Sequence, residues 1–287
     1  MRSQITLENT CLPILRSRYK NLTKSEQKIA DYILEYPKEV MGMTISELAE
    51  NAGSAEITVS RFCHKLGFNG FQRLKQALAG DIFSPVSALS KEVDDNDTMQ
   101  GITQSVFLNT IEALQNTSKM LNYLDLEKAV TIISKSKRID AYGYGGSGII
   151  AQDIEHRFMR FGLQIHSYTD PHLQIASAAL LGKNDTVIAI SHTGASADML
   201  SVLEVAKNAG AKIIVITSYV ASPVTKYADV VLAGIAEETT YRSEAMASRL
   251  VHLSIVDTLY SGVIQKCTEP FVSNMAKVRA AIAKEKV

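Results

Sequence analysis

The sequence predicts a chain of two parts: an α-helical N-terminal domain built on a helix-turn-helix, and an α/β C-terminal domain with a parallel sheet flanked by helices. Three observations carry this. Between positions 22 and 78 apolar residues recur at helical spacing. Between 138 and 233 short apolar strands alternate with helical segments, the pattern of a parallel sheet covered on both faces. The stretch DIFSPVSALSKEVDDNDT has neither period and mixes Pro, Ser and acidic residues, as an interdomain linker does.

Thr23 with Glu26 three residues on reads as a capping box opening the first helix. Ile29, Ala30, Ile33 and Leu34 continue it until Pro37 stops the pattern. A second helix should follow Thr44, burying Ile45, Leu48 and Ala49, and break at Gly53. Ser54 is expected to cap a third, whose apolar residues are Ile57, Val59, Phe62, Cys63 and Leu66 and whose end is Gly67. Phe68, Phe71, Leu74 and Leu78 suggest one more. After the linker a long amphipathic helix is expected over 98–121, capped by Asp97, with Ile102, Val106, Ile111, Leu114 and Leu121 on its stripe. Another helix should cover 126–134.

The α/β texture then begins. Strands are expected at 139–142, 164–168, 186–190, 212–217 and 230–233, with helices at 149–161, 173–181 and 198–208 between them. The last 45 or so residues read as mostly helical.

Composition narrows the class. With 46% apolar and 21% charged residues and no net charge, the chain has the make-up of a globular protein. MRSQITLENT lacks the apolar core of a secretory leader, and no apolar run suggests a membrane helix. Cys11, Cys63 and Cys267 form neither a disulfide framework nor a zinc spacing. The expectation is a cytoplasmic protein without metal, cofactor or membrane partner. Residues 51–80 carry Arg61, Lys65, Arg73 and Lys75 against Glu56 alone, a local cationic excess compatible with DNA.

Gly53 can supply the left-handed turn between two short helices, and Leu48 and Ala49 packing on Val59 and Phe62 would set their angle. The start of the second helix then enters a major groove. The candidate DNA-facing residues are Ser54, Glu56, Thr58, Ser60, Arg61 and Lys65, with Ser54 and nearby amides suited to phosphate. Helix pairs that pack only protein share this pattern. Beyond it, VSRFCHKLGFNGFQRLKQAL and LTKSEQKIADYIL closely resemble the helix-turn-helix of RpiR-type regulators. That resemblance implies DNA binding.

Two turns in the C-terminal part invite an anion. Tyr142-Gly143-Tyr144-Gly145-Gly146-Ser147-Gly148 joins a strand to a helix, so its amides and the helix N-terminus can approach phosphate. A dinucleotide site would want an acidic residue on the second strand, where none appears before Asp170. Ile190-Ser191-His192-Thr193-Gly194-Ala195-Ser196 follows another strand and crowds three hydroxyls round a glycine, where N-capping would need one. Two such turns on one sheet suggest a single crevice.

GYGGSG, AISHTGASADML and ITSYVASPVTKYADVVL resemble the sugar isomerase, or SIS, domain over about 128–268. By that resemblance Ser147, Ser191, Thr193 and Ser196 hold the phosphate of a sugar phosphate, with Gly145, Gly146, His192 and Glu244 as further ligand-site candidates. RSEAMASRLVHLSIVDTLY resembles the family's helix beside the ligand site and the subunit interface. His192 is expected to point outward from a tolerant loop position; the alternative is a protonated imidazole holding an anion. His156, His172 and His252 receive no role.

The whole therefore reads as a regulator, a repressor of a sugar-catabolism operon controlled by a phosphorylated sugar. The alternative is a phosphosugar isomerase or lyase with a DNA-binding appendage, for which Glu244 is the leading base and Glu237 and Glu238 are less specific. The fused DNA reader favours the non-enzyme. Expected boundaries are 1–80 for the DNA-binding domain, 81–97 for the linker, 98–127 for connecting helices, 128–268 for the SIS domain and 269–287 for a C-terminal helix. Expected partners are double-stranded DNA with a palindromic operator, the phosphosugar, and a second copy in a homodimer or homotetramer.

Overall fold

The computed structural model describes residues 10–82, 98–235 and 246–283. They fall into two compact units, one of residues 10–120 with Ile235, the other of residues 121–234 and 246–283.

In the first unit, α1 (Leu12–Arg18), α2 (Lys24–Glu35), the one-turn α3 (Pro37–Val40), α4 (Ile45–Asn51), α5 (Glu56–Leu66) and α6 (Phe71–Ile82) precede the long α7 (Met99–Met120). Ile29, Ile33, Leu48, Val59, Phe62, Leu66, Leu74 and Leu78 form the core and are fully buried. The Thr23 capping box is present as expected, and Thr44 forms a second one with Glu47. Pro37 ends α2 but also begins α3, because a proline at the first helical position lacks only an N–H that has no helical partner anyway. Asp81 and Ile82, expected in the linker, are helical. The Asp81 carboxylate accepts from the amides of Cys11 and Leu12 at 2.6 and 2.8 Å and so caps α1. Burial raises its pKa to about 6 against these bonds. Asp97 lies outside the described residues; the Thr98 hydroxyl accepts from Gly101 N at the start of α7. Ile111, expected on the apolar stripe, is exposed.

The second unit runs α8 (Tyr123–Lys135), β1 (Arg138–Tyr142), α9 (Gly146–Phe158), β2 (Gln164–Tyr168), α10 (Pro171–Ala179), β3 (Asp185–Ile190), α11 (Ala197–Asn208), β4 (Lys212–Thr217), β5 (Val230–Ala233), α12 (Met246–Lys266) and α13 (Thr268–Ala283). All five strands are parallel, in the order β2-β1-β3-β4-β5. One face packs on α8, α9 and α12 through Ile133, Ile154, Phe158, Ile188 and Ile255; the other packs on α10 and α11 through Ala178, Val187, Met199, Leu203 and Val215. The crossover after β1 therefore covers the opposite face from those after β2 and β3. That reversal puts a topological switch point between β1 and β3, where open α/β sheets bind ligands beyond the strands' carboxyl ends.

Candidate functional site

Two regions carry the candidate residues, one in each unit. In the first, Gly53 stands at a φ of +57°, as the turn requires. Ser54 does not cap α5. Its amide donates to Ala49 O and that of Gly53 to Glu50 O, the pair of bonds that closes a helix end, so Ser54 finishes α4 and the cap position falls to Ala55. The Ser54 hydroxyl oxygen is buried without a hydrogen-bond partner among the described residues.

Along α5, Val59, Phe62, Cys63 and Leu66 face the core, Glu56 and Arg61 are exposed, and Thr58 and Ser60 are half-buried. Ile57, expected on the buried side, is 62% exposed and lies one turn before Arg61. Lys65, expected to face DNA, is exposed and also has partners within the fold. It sits about 13 Å along the helix from Glu56, and its ammonium bonds Glu26 Oε2 at 2.6 Å and the Asn21 carbonyl at 3.0 Å. That pair, with the Thr23 bonds, holds the Glu26 carboxyl below its ordinary range against a desolvation that pushes it up. Lys65 thus ties α5 to the start of α2.

In the second unit the register brings the two turns within one residue of level. Tyr142, the last residue of β1, pairs with Ala189 of β3, so the turn that opens at Gly143 begins opposite Ile190, one residue before the turn that opens at Ser191. Gly143 allows α9 to start there: a Cβ on it would stand 2.4 Å from the Ser147 carbonyl oxygen. Gly145 and Gly146 are exposed, with nothing within 4 Å of where a side chain would begin, and their amides open the helix. Ser147 lies in the first turn of α9. In the second turn Ser191 is buried and donates its amide to Ile216 O, while Thr193 is exposed. Ser196 occupies the cap position of α11, yet its hydroxyl makes no capping bond. Ordinary capping therefore does not account for it.

The two turns lead into the N-termini of α9 and α11, and a helix N-terminus favours an anion. Sequence reasoning missed Tyr144. Its phenol oxygen is buried in the glycine turn, without a hydrogen-bond partner among the described residues. Burial, with the charges of Asp198 and Asp170, pushes its pKa up to about 12, so it stays a donor at neutral pH. Gln174, wholly buried, pins the same turn by donating to Tyr168 O at 2.5 Å and Gly143 O at 3.4 Å.

His192 does not point outward. Its Nδ1 meets Ser218 Oγ at 2.8 Å, and its ring packs near Tyr219 and His252. His252, given no role from the sequence, is 1% exposed and bonded to the same hydroxyl. The only signal for it was its place in the helix that resembles the one beside the ligand site. Glu244, with Glu237 and Glu238, lies outside the described residues. Among the described residues no helix is long and apolar enough to cross a membrane.

Comparison with known proteins gives two family matches: the helix-turn-helix domain of the rpiR family over residues 9–85, and the SIS domain over residues 132–262. An uncharacterised HTH-type transcriptional regulator of Caldanaerobacter subterraneus is 33% identical over 276 residues, 96% of this chain and 98% of that protein. The bifunctional protein glk of Burkholderia thailandensis is 36% identical over 256 residues, 89% of this chain but 40% of that longer protein. Among solved structures, the NanR protein of Vibrio vulnificus complexed with ManNAc-6P matches with a TM-score of 0.61 at 26% identity, over 96% of this chain and 98% of that one.

Proposed function

This chain belongs to the RpiR family of helix-turn-helix transcriptional regulators with a SIS domain, and from that premise we propose that it represses a sugar-catabolism operon under control of a phosphorylated sugar. Residues 1–80 are the proposed DNA reader and 128–268 the proposed sensor, joined through 81–97 and 98–127. The observation that carries the reading is the pair of hydroxyl-bearing turns, within one residue of level on β1 and β3 at the sheet's switch point. Ser147, Ser191, Thr193 and Ser196 are the proposed phosphate ligands, with amides of Gly145 and Gly146 beside them. The NanR structure supports a phosphorylated N-acetyl amino sugar as the first ligand to try.

On the DNA side, Glu56, Thr58, Ser60 and Arg61 are the proposed groove residues, and Ile57 offers an apolar surface to a thymine methyl. Two copies of the chain, as a homodimer or within a homotetramer, would address the halves of a palindrome. Occupancy rather than turnover is the proposed output.

The test is to titrate the purified protein with a phosphosugar panel including ManNAc-6P. Its affinity for DNA upstream of its own gene is followed by fluorescence anisotropy, and the sugars by NMR. One phosphosugar is expected to change DNA affinity roughly 5- to 150-fold without being converted. Interconversion that disappears in Glu244→Gln would replace the sensor by an enzyme.

A further inference from the structure

The N-terminal edge of the sheet, at the other end of the strands from the proposed phosphate turns, gathers lysines. Residues 121–234 hold equal numbers of basic and acidic residues, so composition alone does not put them there. Lys137 directly precedes β1, Lys183 comes shortly before β3, and Lys212 opens β4. Lys128 and Lys207 reach Asp229, the residue before β5, at its carbonyl (2.6 Å) and its carboxylate (3.2 Å). Lys135 ends α8. A helix C-terminus favours a cation, which accounts for Lys135 and Lys207 in the last turns of α8 and α11. It does not account for Lys137, Lys183 and Lys212, which flank strands.

A cleft of about 250 Å³ opens here, walled by Lys135, Lys183 and Lys212. The Ser136 and Thr186 hydroxyls also line it, but they are buried and bonded to each other at 2.6 Å. Ser136 Oγ donates on to the Ile132 carbonyl at 2.8 Å, so both hydroxyl protons are used. The acid on the lining, Asp185, accepts from the amide of Gly182 at 2.8 Å. Asp229 is shared between Lys207 and Lys212. Lys135 and Lys183 are exposed and make no ion pair among the described residues. Positive charge is therefore in excess around the cleft, and an anion between the ammonium groups would relieve their mutual repulsion.

Volume and charge together set the ligand class. Sites for drug-sized ligands begin at roughly 300 Å³, so this cleft suits a compact ion and not a whole sugar or nucleoside. Lysines act as separate point charges, not as a planar fork, and their complement is an ion that spreads several charges over many oxygens. We propose that the cleft is a second ligand site, for a diphosphate group, either the free ion or the tail of a nucleotide. It lies roughly 17 Å from the phosphate turns, the length of β3, and does not depend on what those turns bind.

Isothermal titration of the full chain at about 0.15 M salt, with inorganic diphosphate and with ADP, tests this. Saturable binding of diphosphate is expected, weakened roughly tenfold by Lys135→Ala combined with Lys183→Ala, while inorganic phosphate binds both proteins alike. ADP bound as tightly as diphosphate assigns the site to a nucleotide tail; diphosphate bound alone assigns it to the free ion. Wild-type protein that shows no saturable diphosphate binding overturns the proposal, and so does binding that the double variant retains. Both lysines are exposed, so the variant should melt at the wild-type temperature. If it fails to fold, Lys183→Glu carries the test alone: it should weaken diphosphate more than Lys183→Ala does, because repulsion replaces a missing attraction, and equal affinities overturn the assignment.

Discussion

Gly194 sits in the second turn at a φ of +63°, and a Cβ on it would stand 2.0 Å from Ser222 Oγ and 2.3 Å from Ser222 Cβ. Left-handed strain and a clash with a buried neighbour act together there. Gly194→Ala is expected to cost about 2–4 kcal/mol in urea unfolding and to abolish any phosphosugar-dependent shift in melting temperature. Gly53→Ala meets no atom within 4 Å and should lose only about 1–2 kcal/mol of conformational strain. Equal losses would mean that the contact with Ser222 relaxes. His252 gives a residue-scale prediction in pH. Its pKa is lowered to about 3 in the fold against 6.5 when unfolded. Between those values the unfolded chain binds the extra proton. The contribution of neutral His252 to stability is therefore complete above about pH 6.5 and is lost progressively as pH falls toward 3. His252→Gln should flatten the decline in melting temperature between pH 7 and 5; parallel curves would refute it. None of this could be read from spacing, because Ser218 and His252 are 34 residues apart and meet only when α12 closes over the end of β4.

At the scale of elements, what was legible was what is local. The Thr23 box, the break at Gly53, and the strands through 139–142 and 212–217 depend on residues within a few positions of one another. Thr44 repeats the box before α4, accepting from Glu47 N at 3.3 Å while Glu47 Oε2 accepts from Thr44 N at 2.6 Å. Thr44→Ala should cost about 0.5–2 kcal/mol by chemical denaturation, with the α4–α5 turn exchanging its amides faster; unchanged exchange would assign the stability elsewhere. Ser54 shows where local reasoning ends. Its side chain suits a cap, but its amide closes α4 and the cap position of α5 falls one residue later, at Ala55. The exposure of Ile57 was hidden similarly. Its apolar character fits the helical period, but the core is filled from Val59 and Phe62, and position 57 falls on the outer side.

For the whole molecule, the α/β alternation was legible because strands buried on both faces are apolar throughout, as DTVIAI and KIIVIT are. Their order in the sheet was not, since spacing along the chain does not say on which side of β1 the third strand is laid. That order makes the proposed phosphate site a property of the assembled sheet. Ser191→Ala combined with Ser196→Ala should leave DNA affinity without ligand unchanged and remove most of a phosphosugar's effect on it, measured by anisotropy titration. An intact effect would place the phosphate elsewhere.

Because β1 and β3 are neighbours in space, the backbone that meets the proposed effector arrives on two short stretches, 143–148 and 191–197, while the residues that build the sheet precede each of them. The proposed contacts to the effector's phosphate are thereby confined to two short segments that follow the strands. Grafting both from a relative tuned to another phosphosugar offers a way to make this regulator answer a new inducer at its old operator.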